Sequence, residues 1–269
     1  MDTLSTDAGT RTGHFPHTLG VIIARAGSKG FPGKHTKMLL DKPVVAYSIE
    51  AALESRRIDH VIVTTDDPGV QAVANKYESK GVWVVGRPAD LANDTATVDS
   101  AARFGTDRAE ELWGFQAAII VILYGNIPIR PPGLIDMAVE HLVTRGGSSV
   151  QSYAPVGKHH PDWMIRLEDG DKVVLNCKKA IYRRQDLIPM FVPTGAVLAV
   201  TRESLYRKPE HDQDFHCFLG KDRRGFVHPQ SDLIVDVDTR RDLFVAEAIL
   251  RFLRENDQHA GKQNADLLV

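Results

Sequence analysis

The run AAIIVIL, Ala117–Leu123, is apolar at every position, and its reading decides the architecture. A strand with one wet face alternates apolar and polar residues, so a strand with no polar position is covered on both faces. Working outward, VWVV (Val82–Val85), HVIVTTD (His60–Asp66) and LGVIIA (Leu19–Ala24) read as further strands, the second rich in β-branched residues. Helical spacing is expected between them. Pro43 suits a first turn before VVAYSIEAALES, and Pro68–Tyr77, Thr95–Trp113 and PPGLIDMAVEHLV carry the same period. Strands alternating with helices predict an α/β fold with a mostly parallel, Rossmann-like sheet and helices on both faces. Ligands of such sheets bind beyond the carboxyl ends of the strands.

Beyond Pro132 the pattern loosens. SSVQSYAP, GAVLAVT (Gly195–Thr201) and LIVDVDT (Leu233–Thr239) are expected strands, and Arg241–Leu253 is an expected closing helix. The expected organisation is one domain over residues 18–255, with flexible tails at 1–17 and 256–269. Residues 155–193, which mix aromatic and basic residues, read as an insertion suited to a subunit contact.

The composition bounds the function. Of 269 residues, 43% are hydrophobic and 25% charged, which excludes disordered and fibrous classes. The formal charge is -2, from 33 basic and 35 acidic residues, so no chain-wide basic field for nucleic acid is expected. No apolar run approaches about 18 residues, so no membrane span is expected. The first residues lack a charged and an apolar secretory region, and the two cysteines have no paired spacing. A cytoplasmic protein is expected.

The loop ARAGSKGFPGKHTK, Ala24–Lys37, carries four cations and three glycines, and no acidic residue lies between Ala8 and Leu40. Glycines let backbone N–H groups approach an anion and the cations balance it, so a nucleoside triphosphate is the natural guest. It is not a Walker A loop, whose nearest frame fails at Ser28 and His35, and it lacks the GxGxxG fingerprint. Near the other end, alternation in DVDT puts Asp236 and Asp238 on one face. Two close carboxylates repel unless a cation joins them, and magnesium favours such hard oxygen ligands. His211, His216, Cys217 and His228 match no common zinc spacing.

VIIARAGSKGFPGKHTKMLLDKPVVAYSIEAA resembles the opening of the cytidylyltransferases that activate sialic acids and related nonulosonic sugars. The resemblance continues through RPADLANDTAT (87–97), HHP (159–161), RRQDLIPMFVPTGA (183–196) and DVDTRRDL (236–243), in order over nearly residues 19–250. It implies a nucleotide-diphospho-sugar transferase-like fold with a small dimerisation insertion, and a homodimer. It also implies the reaction CTP + sugar acid → CMP-sugar + pyrophosphate. By the same resemblance Ala24, Arg25, Ser28, Lys29, Lys34, Arg87 and Ala96 bind the nucleotide. Tyr124, Asn126, Arg184 and Gln185 face the sugar, and His159 and His160 lie near the subunit contact. Asp236 and Asp238 hold Mg2+, or another divalent cation such as Mn2+, while Arg25, Lys29 and Asp238 carry catalysis, Asp238 as proton acceptor.

Three departures fall on the sugar side. LYGNIPIR (Leu123–Arg130) replaces the family's LQPTSPLR, His35 replaces an asparagine, and Thr194 and Leu198 alter the NGA region. YGNIP leans toward the related Kdo cytidylyltransferases without their carboxylates. The alternatives are therefore a Kdo-type enzyme, a catalytically silent sugar-nucleotide-binding protein and, least supported, a nucleic-acid-binding module.

Overall fold

The computed structural model describes residues 15–27, 29–93, 95–176, 181–210 and 215–266, with side chains up to residue 256. Along the chain come β1 (Thr18–Ile23), β2 (Met38–Leu39), β3 (Lys42–Pro43), α1 (Val44–Glu54), β4 (His60–Thr65) and α2 (Pro68–Ala74). There follow β5 (Val82–Gly86), α3 (Val98–Trp113), β6 (Ile119–Tyr124), α4 (Leu134–Arg145) and β7 (Ser149–Pro155). The remainder is β8 (Ile165–Glu168), β9 (Lys172–Leu175), β10 (Phe191–Thr201), α5 (Arg202–Leu205), β11 (Arg223–Val227) and α6 (Arg240–Asp266).

Seven strands form one sheet in the order β11-β7-β10-β6-β1-β4-β5. β1 pairs in parallel with β4 and β6, β4 with β5, and β7 with β11. Only β10 runs against its neighbours, β6 and β7. The sheet is thus mostly parallel and both faces are covered, as the apolar β6 requires. Along β6, Val121 and Leu123 enter one core with α1, α2 and α4, while Ile120 and Ile122 enter the opposite core with α3. A third core lies under α6, where Ala246 and Val237 meet Leu39, Val44, Tyr47 and Ile129.

Several expectations change. Residues 233–239 are not a strand: a 3-10 turn, Ser231–Leu233, leads into an extended crossing segment. Its backbone joins the body at Val237 N–H, which donates to Asn126 O at 2.9 Å. Val237 is buried beneath α6, so the segment is drawn across the strand ends instead of into the sheet. The alternation survives, with Val237 inward and Asp236 and Asp238 on the other side.

Residues 256–266 continue α6 where a tail was expected, because nothing there is stronger than Gly261 as a helix breaker. Residues 1–14 of the other expected tail lie outside the described residues. Residues 15–17 are packed: Arg57 lies 3.6 Å over the Phe15 ring, and the His17 and Phe115 rings are 5.5 Å apart.

Between β7 and β10 the chain makes the β8–β9 hairpin, whose Leu167, Val173 and Leu175 are exposed. β11, for which the sequence offered no expectation, adds to the sheet beside β7.

Candidate active site

The parallel strands β1, β4, β5 and β6 end on one side of the sheet, and their loops enclose an open cleft of about 510 Å³. Of the residues singled out in the sequence, Ala24, Arg25, Lys29, Lys34, Arg87, Ala96, Tyr124, Asn126 and Asp238 line it. Ser28 lies outside the described residues. Arg184 and Gln185 do not line the cleft. They sit exposed on a turn, Arg184–Asp186, beyond the hairpin.

The glycine- and lysine-rich loop leaves β1 and is held by neighbours from the next strands. Ala24 N–H donates to Thr64 O at 3.3 Å, and Ala26 N–H to the Asp66 carboxylate at 2.9 Å. Arg25 reaches across to Asn93 O at 2.9 Å. Asn93 in turn folds its own segment, accepting at Oδ1 from the N–H groups of Thr95 and Ala96, each at 2.9 Å. The RPADLANDTAT segment is thereby latched onto the cationic loop. Thr97 caps α3 by accepting from Ser100 N–H at 3.4 Å.

Arg87 is buried at 8% exposure, out of reach of a surface role. Its guanidinium donates to Thr64 O at 2.7 Å, and burial together with nearby Arg25 lowers its pKa.

Beneath the loop His35 is buried, and its pKa falls to about 4 through burial and the adjacent Lys34. It is neutral at physiological pH, so the loop's charge comes from its lysines and arginine. Gly125 makes the fit possible: a Cβ there would stand 2.9 Å from Ala24 Cβ and 3.2 Å from His35 Cδ2.

The opposite wall is the turn after β6 together with the 236–238 crossing. Burial and Asp236 raise the pKa of Tyr124, so its hydroxyl stays protonated. Its ring rests against Gly195, whose φ of +70° suits a residue without Cβ; a Cβ there would fall 3.2 Å from the ring.

Asn126, assigned to the sugar by resemblance, lines the cleft and also ties the acidic pair with its amide. Nδ2 donates to Asp236 Oδ1 and, at 3.2 Å, to Asp238 Oδ1. Lys34 Nζ also meets Asp238 Oδ1, at 2.5 Å. Burial and the like charge of Asp238 push the Asp236 carboxyl up to about 6. Two hard oxygen donors held together against their repulsion fit a divalent cation. Among the described residues no cluster of three or more His, Cys, Asp or Glu could hold one, so its further ligands would be water or substrate oxygens.

Two contributors were missed in the sequence. Asn93 lies in a quoted motif, and an Asx turn was its only signal. Arg130 sits on the far side of the wall: its guanidinium donates to Tyr124 O at 2.9 Å, Ala196 O at 2.7 Å, Ser48 Oγ at 2.9 Å and Ile127 O. Of the histidine pair, His160 is buried and structural. Its Nδ1 accepts from Asp162 N–H at 3.2 Å, and Nε2 bonds Ile188 O at 2.9 Å.

Residues 19–258 match the model of a family described as cytidylyltransferase. An N-acylneuraminate cytidylyltransferase of Escherichia coli O18:K1:H7 is 47% identical over 252 residues, 93% of this chain and 54% of that protein. A CMP-N,N'-diacetyllegionaminic acid synthase of Legionella pneumophila is 28% identical over 242 residues, covering 88% and 97%. The chain spans about half the length of the N-acylneuraminate cytidylyltransferases it matches. A solved CMP:2-keto-3-deoxy-manno-octonic acid synthetase complexed with CTP has the same fold, with TM-score 0.61 and 19% identity, over 87% of this chain and 98% of that one.

Proposed function

The chain belongs to the cytidylyltransferase family, and from that premise we propose that it transfers CMP from CTP to a nonulosonic, sialic-type sugar acid. One observation carries this reading: a single cleft sets the Arg25–Lys29–Lys34 loop against Asp238 and the Tyr124–Asn126 turn. The named activities of the similar E. coli and Legionella proteins support the choice of substrate class.

Arg25, Lys29 and Lys34 bind the triphosphate and stabilise the charge that grows on departing pyrophosphate. Ser28 belongs to the same loop. Ala24, Arg87 and Ala96 border the base, where a fixed guanidinium suits a ring carbonyl. The sugar's anomeric oxygen attacks the α-phosphorus, the bond to the β-phosphate oxygen breaks, and pyrophosphate leaves. Asp238, which lines the cleft, takes the hydroxyl proton directly or through water. Asp236 and Asp238 hold Mg2+ or Mn2+, which when bound neutralises phosphate oxygens.

Tyr124 faces the sugar. Arg184 and Gln185 reach a sugar site in a homodimer, supported by the exposed apolar surface of the hairpin region, where Tyr182 is 95% and Ile188 73% exposed. We infer a cytoplasmic location from the sequence; among the described residues no helix is long and apolar enough to cross a membrane.

Pyrophosphate release tests the reading, with CTP against N-acetylneuraminate, its deaminated analogue, other nonulosonates and Kdo, and with ATP, GTP and UTP as controls. Release with CTP and a nine-carbon acid is expected. Release with Kdo alone would overturn the sugar class.

A further inference from the structure

Arg130 carries a charge into a half-buried site with no carboxylate among its hydrogen-bond partners, and Asp236 acts on it only through its field. All four of its acceptors are neutral: the carbonyls of Tyr124, Ile127 and Ala196, and the Ser48 hydroxyl. Burial lowers its pKa to about 9, which leaves it protonated at neutral pH. Withdrawing a cation from water without a hydrogen-bonded carboxylate is costly, and here its return is geometric. The planar fork with five fixed donors spans three separate segments: Ser48 of α1, the turn after β6 and β10 at Ala196. Ser48 Oγ reinforces the same turn, lying 3.0 Å from Tyr124 O and 3.2 Å from Ile127 O.

What the turn carries makes this anchoring matter. Between the two clamped carbonyls lies Asn126, whose own carbonyl accepts from Val237 N–H and whose amide bonds both Asp236 and Asp238. Ala196, clamped by Arg130 Nε, follows the Gly195 on which the Tyr124 ring rests. Arg130 itself does not line the large cleft. It borders a small crevice on the other side with Pro131, Pro132 and Asp136.

We propose that Arg130 is a positioning residue, fixing through the turn after β6 where Tyr124 and Asn126 stand in the cleft and, through the Asn126 amide, how Asp236 and Asp238 are held. The kinetic part of its test rests on the cytidylyl-transfer reading; the spectroscopic part does not.

The test uses the full chain with Arg130→Ala and Arg130→Lys, the second keeping the charge while losing the fork. The side-chain amide signal of Asn126 is followed by 1H–15N NMR, beside cooperative thermal melts. In both variants the Asn126 signal is expected to move. Turnover should fall about 100-fold while KM for CTP changes less than about 3-fold, because the cationic loop is untouched. Guanidinium chloride at about 20 mM should return the Asn126 signal of Arg130→Ala and about a tenth of its turnover, whereas methylammonium should not.

An unmoved Asn126 signal would overturn the proposal. So would loss of CTP affinity in step with turnover without rescue, or failure of Arg130→Lys to melt cooperatively, which would make Arg130 a folding residue. If the wild-type protein released no pyrophosphate, the functional reading would fall while the Asn126 signal still decided this one.

Discussion

The two walls of the cleft are assembled differently. The cationic wall is one contiguous loop, residues 24–37, tied down at Ala24 and Ala26 to the end of β4 and by Arg25 to Asn93. The facing wall is pieced together from residues far apart in the chain. Asn126 meets Asp236 across 110 positions and Arg130 meets Ala196 across 66, while Lys34 of the first wall reaches over to Asp238 across 204. The first wall needs only glycines and cations in a row to offer a polyanion its charge. The second needs a turn, a crossing segment and β10 to agree on one geometry before any residue can act. A wall of the first kind tolerates change elsewhere in the fold, whereas a wall of the second kind can be retuned at single positions, and the departures from the family pattern, His35 apart, fall there.

The largest break is expected where the walls touch. Asp238→Ala should lower transfer about 1,000-fold, because the cation-binding pair and the proton acceptor are lost together. Its fold should survive, since Asp236 is relieved of the like charge that helps push its carboxyl up to about 6, and the Lys34 bridge lies on a 60% exposed carboxylate. Near-wild-type turnover with a normal melt would remove Asp238 from the chemistry.

Lys29→Ala touches the contiguous wall alone. CTP binding by calorimetry and turnover should weaken together, by about 100-fold in turnover. Unchanged affinity and rate would mean the loop does not carry the triphosphate.

His35 lies between the walls and gives a stability readout. Its folded pKa is about 4 against 6.5 in an ordinary histidine, so between those values the unfolded chain takes up a proton that the folded one refuses. Stability therefore falls as pH drops from 6.5 toward 4, by up to about 3 kcal/mol. Urea unfolding of His35→Asn should show that much less acid sensitivity between pH 7 and pH 4. An identical pH slope in both proteins would mean the imidazole is not held neutral by its burial.

The smallest effect sharpens the comparison most. Tyr124→Gln should leave CTP affinity unchanged and shift the ratio of kcat/KM between two nonulosonic acids about tenfold. A change in CTP affinity without any change in sugar preference would place Tyr124 on the wrong wall.

Legibility in the sequence follows the same division. The unbroken apolar run at 117–123 fixes a strand buried on both faces, and helical spacing around it foretells the parallel half of the sheet. The cationic loop could be read because its residues are neighbours in the chain. The bonds of Asn126 to Asp236 and Asp238 could not be read, because these partners come close only after residues 233–239 leave the expected strand and cross over the sheet. Arg130 was passed over because a lone arginine after Pro128 carries no periodic signal, and its role arises from three carbonyls and a hydroxyl that only the fold gathers. β11 was missed for a related reason: RRGFV has no apolar alternation, and its place is set by backbone pairing with β7.

The claim that joins both walls is that attack falls on the α-phosphorus of CTP. Phosphorus NMR of the protein with CTP, magnesium and the best nine-carbon acid tests it most directly. The account predicts that the three CTP resonances give way to pyrophosphate and a single phosphodiester signal, from the CMP-sugar. The appearance of CDP, or CTP left intact beside every sugar acid tried, would contradict it.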